Sequence, residues 1–96
     1  MKTKEDVIKA INAVGHPAIN FSLVELGMLE NIIVTEDDVK VTFVFPFANI
    51  PIANFLISSV GQAVYDLGYN FSHDIRTMTE EEKATFLKKE KEGWKQ

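Results

Sequence analysis

Residues 43–56 read FVFPFANIPIANFL, a run in which only Asn49 and Asn54 carry polar side chains and which Pro46 and Pro51 interrupt. An ordinary surface loop is not this apolar. A single helix or central strand does not accommodate two internal prolines, because proline removes a backbone donor and clashes with the preceding turn. The run therefore divides into the end of a buried strand at Phe45, a loop over 46–49, and a helix start. Asn49 is placed to cap that helix, and Pro51 suits its first turn. Ile52, Leu56, Val60, Ala63 and Leu67 then fall along one helical face, Phe55 and Val64 widen it, and Gly68 ends it.

The remaining elements follow from the same signals. Thr3 with Asp6 forms a near capping box before Val7, Ile8, Ile11 and Val14, which recur at helical spacing. Gly15, His16 and Pro17 stop this helix, glycine by suiting a left-handed cap. Ser22, Glu25 and Gly27 outline one short helical turn. Two strands are expected over 28–35 and 39–45, the second alternating Val39, Val41, Phe43 and Phe45 with Lys40, Thr42 and Val44. The polar turn between them makes a hairpin the natural connection. A third strand is expected over 70–76. Thr79 and Glu82 cap a last helix running to about Glu90, with Trp94 just beyond it and placed to close over the sheet or a helix end. The expected fold is α+β, a small, largely antiparallel three-stranded sheet packed by helices, in the order α-β-β-α-β-α. A chain of 96 residues suits one domain over 1–96.

Composition excludes several functions. A net charge of −4 argues against nucleic acid or anionic membrane as the main partner, since both demand a concentrated basic surface. The lysines near the C-terminus (83, 88, 89, 91 and 95) alternate with glutamates, as on a solvated mixed-charge helix. There is no cysteine, so disulfides, thiolate nucleophiles and thiolate-held metal or cluster sites are excluded, and a cytoplasmic setting is expected. The N-terminal MKTKEDVIKAI has no signal-peptide core, and the prolines and polar residues of 41–60 argue against a spanning helix.

The segments HPAINFSLVELGMLENIIV (16–34) and VKVTFVFPFANIPIANFLISSVGQAV (39–64), with TMTEEEKATFL (77–87), together resemble the PaaD-like, SufT-like iron–sulfur cluster assembly domains. The same domain stands at the front of Mrp-type P-loop iron–sulfur carriers. In that family an acidic turn leads into a (D/S)-(I/L)-V-x-L-G-(L/M)-(V/I) segment, matched here by SLVELGML, then a hairpin and a Thr-rich loop ending in Cys-Pro at a helix start. The resemblance implies the family fold, a role near iron–sulfur maturation, and assembly or client proteins as partners.

This chain departs from the pattern at informative places. Ile50 stands where the family keeps its cysteine, His16 replaces the Asp before Pro17, and Ala18 replaces the acidic residue after it. Pro46 and Phe47 replace hydroxyl residues of the loop. A thiolate at a helix N-terminus is stabilised by the free N–H groups there; Ile50 offers none. Either Phe47, Ile50 and Ile52 fill core space, or the loop has become an apolar contact patch. On the second reading the chain is a non-catalytic adaptor without cofactor. The contact candidates are Phe45, Phe47, Asn49, Ile50 and Pro51 in the loop and His16, Pro17 and Phe21 in the turn, and loop and turn should lie together.

Two other functions stay open. His16 and His73, with Asp74 or Glu25, would serve a small metal-binding protein or enzyme. Against this, His73 shares a strand face with Phe71 and Ile75 and reads as a half-buried packing residue, while His16 reads as exposed in its turn. A homodimeric structural domain is the remaining alternative.

Overall fold

The computed structural model describes residues 3–47 and 50–94. Its elements are α1 (Lys4–Asn12), β1 (Leu29–Val34), β2 (Asp38–Phe45), α2 (Ala53–Tyr65), β3 (Asn70–Thr77) and α3 (Glu80–Gly93). The order is the expected α-β-β-α-β-α, with three strands in the spatial order β1-β2-β3. β1 and β2 form the antiparallel hairpin. β2 and β3 are parallel, in unbroken register from Asp38↔Asn70 to Phe45↔Thr77. The parallel pairing follows from chain economy: β3 is reached only through α2, and a crossover helix returns the chain in the same direction.

Odd-numbered residues of β2 face α1 and α2. Val39, Val41 and Phe43 are fully buried there with Val7, Ile11, Leu56 and Val60. α1 begins with the capping box anticipated at Thr3 and Asp6. It ends at Ala13 in a right-handed conformation, so the left-handed glycine cap expected at Gly15 is not used. Gly68 does take the left-handed conformation, φ 88°, and turns the chain from α2 into β3.

β1 contains a bulge. Its register to β2 shifts between Glu30 and Ile33, and Asn31 sits at φ 51°, where asparagine is among the few non-glycine residues found routinely. The extra residue turns Ile32 and Val34 to the same face as Leu29 and sends Ile33 out to solvent.

On the reverse face of the sheet one ionic junction ties three elements together. Arg76 of β3 donates through Nε and Nη2 to both oxygens of Glu30 on β1, each at 2.8 Å. The same guanidinium donates to Glu82 of α3 at 2.8 and 2.7 Å. Glu82 also completes the capping box with Thr79. The Arg76 guanidinium, with the Thr79 N–H, holds the Glu82 carboxyl down at about 2, and Arg76 likewise lowers Glu30.

Candidate functional site

The segment 15–28 is irregular but strongly bonded. His16 N–H donates to the Phe21 carbonyl at 3.2 Å, and Gly15 bridges Ser22. The His16 ring turns inward, leaving the residue 6% exposed, and its Nδ1 accepts from the Ala18 N–H at 3.0 Å. The expectation of an exposed His16 is therefore corrected: the turn folds the imidazole back over its own backbone.

Ser22 and Glu25 cap one another across a single turn, Glu25 N–H to Ser22 Oγ at 3.1 Å and Ser22 N–H to Glu25 Oε1 at 2.9 Å. Those bonds lower the Glu25 carboxyl from its ordinary value. Gly27 closes the turn at φ 75°. Met28 then joins the sheet, its carbonyl accepting from Val44 N–H at 2.9 Å. α3 lies along this segment. Lys89 Nζ donates to the Glu25 carbonyl and Asn20 N–H to the Gly93 carbonyl, both at 2.6 Å.

Turn, loop and α3 enclose an apolar hollow of about 360 Å³. The turn contributes His16, Ala18 and Met28, the loop Pro46, Phe47, Ile50, Pro51 and Ile52, and α3 Phe86, Leu87 and Glu90, with Trp94 just past its end. The expected meeting of turn and loop is thus present. Buried Met28, Phe86 and Ile50 (9% exposed) form the floor, while Phe47 and Trp94 stand at the rim, 56% and 55% exposed.

The candidate contact residues separate on this geometry. Phe47 and Pro51 are exposed at the hollow, and His16 lies buried in its wall. Ile50 is floor rather than surface. Phe45 is a core residue, its ring stacked 5.8 Å from that of Phe43, and it lies outside this hollow, touching a second one beside Ile75. Pro17 is exposed but borders a neighbouring depression with Phe55 and Ser58. Phe21 is half-buried beneath α3, where a Cβ on Gly93 would come within 2.6 Å of its ring. Asn49 lies outside the described residues. The cap position of α2 belongs to Ile52, without a side-chain hydrogen bond, so the helix starts later than the Asn49–Pro51 pattern suggested.

The histidines do not form a joint site. His73 is exposed on β3, beside Phe71 and α2, because among the described residues β3 is the last strand of the sheet. Its exposure corrects the half-buried part of the expectation, while the packing part stands: the ring lies edge-on to Phe43 at 5.6 Å and stacked on Phe71 at 5.9 Å. Among the described residues no three His, Asp or Glu side chains gather as metal ligands. An iron–sulfur cluster, which takes thiolate ligands, finds none in this chain. The hollow is instead apolar, with little charge, a wall of aromatic and aliphatic groups, and exposed aromatic edges.

Charge alternation hid the contribution of α3 from the sequence reading. Phe86 with Glu90 and Leu87 with Glu90 stand at i, i+4 and i, i+3 on one helical face, with Trp94 just past the helix end, and that was the available signal.

Among the described residues no helix is long and apolar enough to cross a membrane. No curated protein matches the chain. Its fold is shared with the crystal structure of a domain of unknown function, DUF59, from Bacillus anthracis, at 15% identity and a TM-score of 0.67 over 82% of this chain and 81% of that one. The family described as iron–sulfur cluster assembly protein matches residues 4–72, from the start of α1 into β3. On that match the chain belongs to the iron–sulfur cluster assembly protein family.

Proposed function

We propose that this chain is a PaaD-like, SufT-like adaptor that has kept the family's place in cluster assembly and lost its thiol. It works in the cytoplasm, catalyses nothing itself, and meets assembly or client proteins through the hollow between turn, loop and α3. One observation carries this reading. Ile50, which the sequence resemblance sets where the family keeps its cysteine, forms the floor of an apolar hollow with exposed aromatic residues at its rim. Apolar area rimmed by aromatics is where protein contacts concentrate. A cluster would pass between partners as cargo, with its thiolates supplied by them.

The test is anaerobic affinity capture from the source organism with the proteins retained identified by mass. Recovery of cluster scaffolds, carriers or iron–sulfur enzymes supports the adaptor. Recovery of the chain alone overturns it.

A further inference from the structure

β3 ends the sheet on one side and β1 on the other. An edge strand presents unpaired backbone groups and is a template for another strand unless it is blunted. β1 is blunted by its bulge at Asn31. β3 has no bulge and no proline over its length. Its charged side chains are drawn to the reverse face, Asp74 to Lys40 at 3.0 Å and Arg76 to Glu30 and Glu82.

The open side of β3 can be assigned residue by residue. Asn70 N–H donates to the Asp37 carbonyl at 2.9 Å, and Met78 N–H to the Phe45 carbonyl at 2.7 Å. Backbone groups alternate sides along a strand, so even-numbered residues bond toward β2. Phe71, His73 and Ile75 therefore turn their N–H and C=O groups outward. Their side chains face the α2 side, where two shallow hollows of about 350 and 450 Å³ are lined by Phe71 and His73 at one end and Ile75 at the other, with Ile57 in both.

We propose that two copies of this chain pair antiparallel through β3, about a two-fold axis at His73, joining two sheets into one. In this register His73 lies opposite the partner's His73, and Phe71 opposite the partner's Ile75. All are outward-bonding positions, and each such pair exchanges two backbone hydrogen bonds. The two-fold places a Phe71–Ile75 pair over each hollow and covers Ile75, which is 52% exposed in the single chain. Shifting the axis to Asp74 sets two carboxylates directly opposite, which is unfavourable. A second copy is the fitting occupant because the strand complements itself, supplying an aromatic on one side of the axis and a β-branched residue at the mirror position. None of the paired residues, 71–75, lines the hollow beside Ile50.

The test is sedimentation velocity over a concentration series, with amide hydrogen exchange at low and high concentration. Wild type should show a reversible monomer–dimer equilibrium, with Phe71, His73 and Ile75 amides gaining protection as the dimer forms. Ile75→Lys should weaken the dimer by about twofold to thirtyfold, since the two-fold counts each lost pair twice. Ile33→Lys on the blunted edge should leave it unchanged. A His73→Pro variant, which deletes one outward donor without touching the β2 ladder, should weaken it as well. A monomer at every concentration, as a strand reserved for a foreign partner would give, overturns the proposal. So does a dimer that leaves those three amides unprotected.

Discussion

Truncating Phe86 to alanine should release α3 while leaving the sheet folded. α3 buries only Phe86 and Gly93 among its residues, and Phe86 is the single large side chain through which it reaches the core. Replacing a buried phenylalanine by alanine costs about 3–5 kcal/mol. Of the remaining ties, the Lys89–Glu25 and Asn20–Gly93 bonds are each worth about 0.5–1.5 kcal/mol. The Glu82–Arg76 pair holds only the first turn of α3 and is screened by solvent. Together these do not replace the ring along the rest of the helix. A helix of this length is marginal in water once detached, so loss of docking means loss of the helix. The core around Val41, Phe43, Leu56 and Val60 lies between sheet, α1 and α2 and should stand. The assay is site-resolved hydrogen exchange. Amides of α3 should exchange about a hundredfold faster or more, while those of β2 keep their protection. The hollow should lose its outer wall and partner capture should fail. Unchanged exchange in α3 would refute the anchoring role. An equal loss in α3 and β2 would show that the two unfold as one unit.

The ionic junction predicts an acid transition. Glu82 and Glu30 have carboxyls lowered by Arg76, so the folded state binds their protons less readily than the unfolded chain does. Their contribution is complete above the ordinary carboxylate range and is lost as pH falls toward about 2, so melting temperature should drop over that interval and drop less in Glu82→Gln. Arg76→Met should lower the melting temperature by several degrees at neutral pH, because it leaves two carboxylates facing each other, and adding Glu82→Gln should recover part of the loss. Gly68→Ala should cost about 1–2 kcal/mol in denaturant unfolding. A Cβ at Gly68 meets nothing nearby, so that cost is purely one of backbone conformation at φ 88°.

Elements with local signals were legible in the chain. The capping boxes at Thr3 and Thr79, the alternation of β2 and the proline-divided run at 43–56 each have a short-range cause, and they yielded the element order. Features set by distant pairing were not. The Asn31 bulge breaks the alternation of LENIIV, so nothing in that segment says which isoleucine faces inward until β2 fixes the register. Arg76 and Glu30 are 46 residues apart and no local pattern joins them. The inward turn of His16 depends on a bond to Ala18 that the Gly-His-Pro reading did not contain. The site was half legible: loop and turn were joined through the resemblance, whereas the wall given by α3 emerged only from packing.

The most direct measurement compares anaerobic capture by wild type and by Phe47→Asp, with thermal melts of both. Phe47 is 56% exposed, so a carboxylate there should change stability by no more than about 0.5 kcal/mol. It would stand at the rim of an apolar contact, unpaired and desolvated in any complex. We expect iron–sulfur assembly or client proteins to be retained by wild type and lost from the variant at unchanged melting temperature. Equal retention by a fully folded Phe47→Asp would contradict a partner contact through this hollow.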